Sequence, residues 1–313
     1  MAKPRNKPHD IFIKALLSDL GRAKDFLAYL LPNSVVKQLD FSSIEPEDRI
    51  QIVASFSEQY IDALFRIRLR RKNEVVHLLL EHKSYPDKRV ASQLFHYIHT
   101  AYLSQIDAGI PLQPVFALLF YHGKKKWKFH PPTESISVKS KHLKQALPRF
   151  YIWYSDLSAV PIKDILHLPT GWLRAALMVL RFSHYPKELI KRFEQIFKNI
   201  AALEEGNFFQ VLGIYYLQIT PLSRQEFMRM VEGLLDRTKK EFMTIYDAIL
   251  EEGIQQGLEQ GLEQGLEQAH KETILKGIQN NIPVSMLCTL TGYSEAMVTA
   301  IIQQATTDQP NKP

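Results

Sequence analysis

The stretch Tyr60-Ile-Asp-Ala-Leu-Phe-Arg-Ile-Arg-Leu-Arg-Arg-Lys72-Asn73-Glu74-Val-Val-His-Leu-Leu-Leu-Glu-His-Lys83 reads as two β-strands joined by a short turn. Both flanks are rich in β-branched, aromatic and aliphatic residues, and the polar pair Lys72-Asn73 between them is a turn signal. With Lys72-Asn73 as a two-residue loop, Asp62 lies across from Lys83 and Leu64 across from Glu81. Side chains alternate along a strand, so Glu81 and Lys83 share a face, and the register adds Asp62 to it. The run from Val75 to Leu80 is apolar apart from His77, the pattern of a central strand buried on both faces. Two carboxylates and an ammonium at the end of such a strand are costly to bury without a purpose. A solvated ladder of ion pairs is the structural alternative, and it would add little stability.

The chemistry suited to this trio is metal-assisted hydrolysis of a phosphodiester. Two neighbouring carboxylates suit Mg²⁺, with Mn²⁺ or Ca²⁺ as substitutes, because hard cations prefer oxygen ligands and Mg²⁺ keeps several waters. Asp62 and Glu81 are the expected metal ligands. Lys83 would position or deprotonate the attacking water, or stabilise the pentacovalent oxygen.

An Asp on one strand followed by Glu-x-Lys on the next resembles the PD-(D/E)xK nuclease superfamily. The surrounding sequence is similar to one branch of it, the recombination-promoting nucleases, also catalogued as YhgA-like transposases. The pieces that carry the resemblance are His9-Asp10-Ile-Phe-Ile-Lys14, Tyr60-Ile-Asp62, Leu78-Leu-Leu-Glu-His-Lys-Ser84 and Pro114-Val-Phe-Ala-Leu-Leu-Phe-Tyr-His-Gly123. It covers most of residues 7 to 240 and, more loosely, the tail. The resemblance implies an α/β fold with a restriction-endonuclease-like αβββαβ core, and divalent-metal-dependent DNA cleavage. Carried over by position, Asp62 and Glu81 hold the metal and Lys83 is the catalytic lysine. Ile61 stands where the superfamily pattern has proline, and Lys83 where many members of the branch have Gln.

Asp87 to about Ile106 reads as a helix in which Gln93 and Tyr97, four residues apart, share a face. That spacing is similar to a Gln-xxx-Tyr element following the catalytic lysine in some nucleases of the superfamily. The pair would bind phosphate or fix the lysine. An ordinary amphipathic helix, with Gln outward and Tyr inward, is the alternative. His9 and Asp10 open the first helix, whose expected core stripe is Phe12, Ala15, Leu16 and Leu20. Capping and the helix dipole explain Asp10 without chemistry, and assistance to metal or water is its functional reading.

Composition bounds the remaining possibilities. With 45% hydrophobic and 11% aromatic residues in 313, the chain is long enough for two domains and is not mainly disordered. A single cysteine, Cys288, excludes an internal disulfide framework and a Cys-rich zinc site. The basic start lacks an apolar signal-peptide core, and no apolar run is long enough to span a bilayer, so a cytoplasmic protein without membrane contact is expected. From Glu241 to Glu272 the net charge is −7, which leaves the rest of the chain at +13 out of an overall +6. A positive body suits a polyanion, and DNA is the expected partner. The basic clusters are Arg66 to Lys72, Lys124 to Lys128 and Lys139 to Lys144, from which Arg70, Arg71, Lys124, Lys125 and Lys126 are candidate phosphate contacts. Solvated loop and edge-strand charge is the bland account of each cluster taken alone.

Later segments offer no catalytic constellation. Val115 to Tyr121 and Phe150 to Tyr154 read as strands, and helices are expected at 171–182, 187–204, 207–219 and 223–237, the last capped by Ser223. A four-residue repeat, Gly-Ile/Leu-Glu/Gln-Gln, runs from Gly253 to Gln268. Its glycines weaken a free helix by about 0.8–1 kcal/mol each, so a helix that self-associates through the 253–268 stripe is expected, making a homo-oligomer. A low-complexity linker is the alternative. Three short helices follow, at 272–279, 284–290 and 295–304. They outline a helix-turn-helix, but residues 282 to 302 carry no Lys or Arg, which points to protein contact rather than base reading.

The expected organisation is a nuclease core over 1–160, a helical extension over 161–240, the repeat segment at 241–271 and a small helical module at 272–313. The expected function is metal-dependent DNA endonuclease activity of low sequence specificity, promoting recombination or acting on mobile or foreign DNA. A catalytically silent DNA-binding or protein-interaction module on the same fold is the alternative. A DDE-type transposase would need three dispersed acidic ligands, which Glu-x-Lys on one strand does not resemble.

Overall fold

The structure is a computed structural model that describes residues 8–47, 62–71, 74–130, 139–140, 142, 151–197, 200 and 207–307. It begins with helices α1 (Pro8–Leu17), α2 (Leu20–Leu30) and the single turn α3 (Asn33–Val36). Strands β1 (Leu39–Pro46), β2 (Ala63–Leu69) and β3 (Val75–Lys83) follow, then α4 (Val90–Asp107), β4 (Val115–Tyr121) and β5 (Ile152–Asp156). Among the described residues these strands form one mixed sheet in the order β1-β2-β3-β4-β5. The first three run antiparallel, and β3, β4 and β5 are parallel. The protein is therefore a mixed α/β fold.

The β2–β3 register differs from the one expected by two residues. Ala63 lies opposite Leu80, Leu64 opposite Leu79 and Arg68 opposite Val75, and the Leu69 amide donates to the Glu74 carbonyl (2.9 Å). Lys72 and Asn73 themselves lie outside the described residues. Packing accounts for the shift: Leu64 meets Leu79 and Ile67 meets Val76, whereas the turn-based register set Leu64 against Glu81. A shift of two preserves the faces, so Asp62, Glu81 and Lys83 remain on one side.

That side packs on α4. Leu64, Leu79, Ala117, Leu119 and Ile152 of the sheet enclose a core with Val90, Leu94 and Tyr97. The other side is covered by α1 and α2, whose Phe12, Leu16 and Phe26 are buried, with the Phe26 ring 5.2 Å from Phe120. Seven consecutive residues of β3, Val76 to His82, are buried. His77 in that run is satisfied at both ring nitrogens, by Glu47 (2.7 Å) and the Gln113 amide oxygen (2.8 Å).

Several elements depart from expectation: the helix expected at 223–237 ends at Val231, and the one expected at 272–279 is the end of a 44-residue helix, Asp236–Gln279. Strand β1 gave no sequence signal, since its Ser42-Ser43 centre and terminal Pro46 suit only an irregular edge strand, and its pairing with β2 shifts between Asp40 and Glu45. The buried stripe of α1 is Phe12, Ile13, Leu16 and Leu17, not Ala15 and Leu20. Leu20 opens α2 and is 40% exposed, because Asp19 caps that helix by accepting from the Arg22 amide (2.8 Å). The helix expected at 187–204 breaks at Arg192 into α7 (Pro186–Lys191) and α8 (Phe193–Phe197).

The other helices are α5 (Ile162–Leu166), α6 (Gly171–Phe182), α9 (Phe208–Ile219), α10 (Arg224–Val231) and α11 (Asp236–Gln279). Ser223 and Glu226 form a reciprocal capping box at the start of α10. The chain divides into two compact units, residues 1–245 and 246–313, so the helical extension expected from 161 lies in the first. In the second, Ile274, Leu287 and Val298 form a small core between α11, α12 (Val284–Thr291) and α13 (Glu295–Thr307). The repeat lies within α11, where, apart from the neighbouring backbone of the helix itself, no atom of the described residues stands within 4 Å of the place a Cβ would take on Gly253, Gly257, Gly261 or Gly265. Among the described residues no single helix is long and apolar enough to cross a membrane.

Candidate active site

The end of β3 carries the polar cluster. Asp62 stands immediately before β2, Glu81 and Lys83 close β3, and Gln93 lies on the first turn of α4. These four line a cavity of about 230 Å³ together with Asp10, Lys14, His82, Ser84 and Tyr85. Glu81 is only 3% exposed. Its Oε1 accepts from Lys83 Nζ (2.8 Å), while its Oε2 is inaccessible to solvent and has no hydrogen-bond partner among the described residues. Lys83 Nζ also donates to Gln93 Oε1 (3.2 Å) and lies 3.6 Å from Asp87 Oδ2. The Gln93 amide donates in turn to the Tyr97 hydroxyl (2.5 Å), so the pair spaced at four residues fixes the lysine.

Electrostatics separate the two carboxylates. Burial, with the negative charge of Asp62 beside it, pushes Glu81 up to about 7 despite the opposing pull of Lys83. Burial works on Asp62 in the same sense, but hydrogen bonds from the His82 ring and amide, with the positive charge of Lys83 nearby, outweigh it and hold Asp62 below the ordinary carboxylate range. Burial disfavours the charged form of Lys83, yet Glu81, Asp87 and Asp62 raise its pKa above that of a free lysine. Lys83 is therefore an ammonium at neutral pH.

The donor set fits a hard dication. Among the described residues a buried carboxylate oxygen on Glu81 without a hydrogen-bond donor stands beside an ionised Asp62, so two oxygen donors are on offer to a cation. Among the described residues no three His, Cys, Asp or Glu side chains gather around one point as metal ligands. The protein would thus supply two carboxylates and leave the other positions to water and substrate oxygens, as Mg²⁺ sites commonly do.

Other candidate residues fall on both sides of this picture. Asp10 lines the cavity, with Oδ1 3.7 Å from His82 Nε2. His9 is not among the lining residues; its Nδ1 lies 2.6 Å from the Tyr215 hydroxyl, and its ring meets those of His122 and His184. Lys124, Lys125 and Lys126 follow β4, which runs parallel to β3 with Tyr121 level with Lys83, so they stand at the same end of the sheet as the site. The Arg70 and Arg71 pair is not brought there. Antiparallel β2 carries it to the opposite end, about 26 Å from Asp62 at ~3.3 Å per residue.

His82 is the residue that sequence reasoning missed. Alternation assigns it to the face away from Glu81, yet both its amide (2.7 Å) and its ring Nδ1 (3.2 Å) reach Asp62 Oδ2. The one available signal was a histidine occupying a position where a buried strand calls for an apolar side chain.

Fold and site together define an α/β protein with a buried two-carboxylate, one-lysine cavity at the end of a mixed sheet. Residues 7–208 match the family described as "Putative transposase, YhgA-like", and the chain belongs to that family. It is similar to the recombination-promoting nuclease RpnA of Escherichia coli strain K12, at 26% identity over 312 residues, covering 96% of this chain and 99% of that protein. It is likewise 26% identical over 256 residues to the inactive recombination-promoting nuclease-like protein RpnE of the same strain, covering 80% of this chain and 84% of that one. Its similarity to the recombination-promoting nuclease RpnC, also of that strain, is 29% over 125 residues, or 40% and 42% of the two chains. No solved structure matches the chain. The named relatives support a role in nuclease action and recombination.

Proposed function

We propose that the protein is a divalent-metal-dependent DNA endonuclease of the PD-(D/E)xK type, with Asp62 and Glu81 as metal ligands and Lys83 as the catalytic lysine. The observation that carries this reading is the buried Glu81 carboxylate beside Asp62, one oxygen held by Lys83 and the other without a partner among the described residues. Support comes also from the element order, in which helices, three antiparallel strands, a helix and a parallel strand follow the αβββαβ sequence of that core. Mg²⁺ between the carboxylates would supply Lewis acidity toward a phosphate oxygen and a water of lowered pKa. Lys83, kept cationic by its three carboxylate neighbours, acts on developing phosphate charge rather than as a base. Gln93 and Tyr97 hold it in place. Lys124, Lys125 and Lys126, at the same end, meet the DNA backbone and read no bases, which accounts for low sequence specificity. Promotion of recombination follows from strand cleavage in this reading.

Cleavage of supercoiled plasmid tests it, with Mg²⁺, Mn²⁺ or EDTA, comparing wild type with Asp62→Ala and Lys83→Ala. Nicking that needs metal and is lost by at least about a hundredfold in both variants is the expected result. Nicking that persists in them would remove the assignment. A second reading, a silent DNA-binding module on the same fold, is favoured by the similarity to a relative named inactive. A folded wild type that binds DNA and leaves it uncut in every metal would establish it.

A further inference from the structure

We infer that His82 is a positioning residue, which locks the Asp62 carboxylate with Oδ2 turned toward the protein and leaves Oδ1 as the oxygen available to a cation in the cavity. The inference rests on reading Asp62 as a metal ligand. Its basis is the arrangement around one oxygen. Asp62 Oδ2 accepts two hydrogen bonds, from the His82 amide at 2.7 Å and the His82 ring Nδ1 at 3.2 Å, while Oδ1 takes none among the described residues. One donor on a carboxylate oxygen leaves the group free to swing about it. Two donors from different directions fix its torsion, as outer partners of metal ligands commonly do.

The ring itself is held firmly. It is 4% exposed and lies nearly parallel to the buried His122 ring, with centroids 5.4 Å apart and planes inclined by 9°. Its far nitrogen, Nε2, is inaccessible, makes no hydrogen bond among the described residues, and stands 3.7 Å from Asp10 Oδ1. An ionised carboxylate such as Asp62 can only accept, so the ring must carry its hydrogen on Nδ1. Asp10, on the first turn of α1, stands on the other side of the ring, with Oδ1 3.7 Å from Nε2. Among the described residues no third carboxylate joins Asp62 and Glu81 around one point, so Asp10 stands against the ring rather than as a third ligand. His82 lies on one face of β3 and Glu81 on the other, so two consecutive residues serve the site from opposite sides of the sheet, one as ligand and the other as the brace for a second ligand.

The test is Mn²⁺ binding to the whole protein without DNA, followed by electron paramagnetic resonance, for wild type and the variants His82→Asn, His82→Gln, His82→Ala and Asp10→Asn. Plasmid nicking and thermal melting are measured in parallel. An asparagine amide can occupy the Nδ1 position, whereas a glutamine amide reaches toward Nε2. Asn at position 82 should therefore keep Mn²⁺ affinity within about threefold of wild type, while Gln and Ala weaken it about 10–100-fold, the usual effect of losing an outer partner. A merely structural histidine would not separate Asn from Gln, and that pair decides the matter even if the Ala variant fails to fold. Equal affinities across the series would overturn the inference, as would an Asn variant as weak as Ala. So would a loss in Asp10→Asn exceeding that in His82→Ala, which would make Asp10 the ligand. A wild type that binds no Mn²⁺ overturns it together with the metal reading. Binding that ranks as expected, with no nicking by any form, would sink the nuclease and leave the positioning role standing.

Discussion

Glu81 holds its proton more tightly in the fold than in the unfolded chain, where the ordinary value of 4.5 applies, because its pKa in the fold is raised to about 7. A group raised in this way contributes stability that is fully present below pH 4.5 and is lost as the pH climbs through 7. The metal-free protein should accordingly lose Tm between about pH 4.5 and 7 by up to the equivalent of about 3 kcal/mol, at ~1.4 kcal/mol per pKa unit. Glu81→Gln should flatten that segment when melting curves of the two proteins are compared. The comparison is needed because His122 and His184, both depressed by burial, push the other way as the pH rises toward 6.5. Lys83→Ala removes the ammonium bonded to Glu81 and should drive its titration higher still, seen as a shift of the same melting profile to higher pH.

Strand β3 shows how much of the fold was legible and where legibility stopped. Its apolar run announced a buried central strand, and the Glu-x-Lys spacing placed Glu81 and Lys83 on one face whatever the register. The register was misread because a polar dipeptide suggested the turn, while cross-strand contacts such as Leu64 with Leu79 decided it. Leu79→Ala should therefore cost about 2–5 kcal/mol in denaturant unfolding, since the side chain is fully buried between Leu64 and α4. Strand β1 and the brace from His82 were illegible for a different reason: each depends on contacts between residues distant in sequence, Ser43 with Arg68 and His82 with Asp62. In α11 local composition is the whole signal. With open space around Gly261, Gly261→Ala should strengthen the helix by about 0.8–1 kcal/mol, measured as a rise in helical circular dichroism and its midpoint on heating.

At the scale of the molecule, charge is distributed as binding to a polyanion requires, with −7 confined to residues 241–272 and +13 spread over the rest. On the proposed function, DNA affinity should fall by one to several powers of ten between about 50 and 200 mM salt. Replacing Lys124, Lys125 and Lys126 together by Ala should make that dependence shallower by about two to three phosphate contacts in a binding titration, and the same change at Arg70 and Arg71 should leave the nicking site unchanged.

The burial of Glu81 and Lys83 also bears on how such a protein changes over generations. Both side chains sit on a strand already held by β2 on one side and β4 on the other, so the ladder does not depend on them. Exchanging a buried ion pair for apolar residues of similar volume is often neutral or stabilising by about 1–4 kcal/mol. On the proposed function, loss of chemistry in this architecture need not cost stability: a gene copy freed from selection on cleavage can exchange both charges together and fold as well. Lineages built on this sheet should accumulate silent copies beside active ones, and a chain similar at 26% identity to relatives named nuclease and named inactive is what that drift would produce.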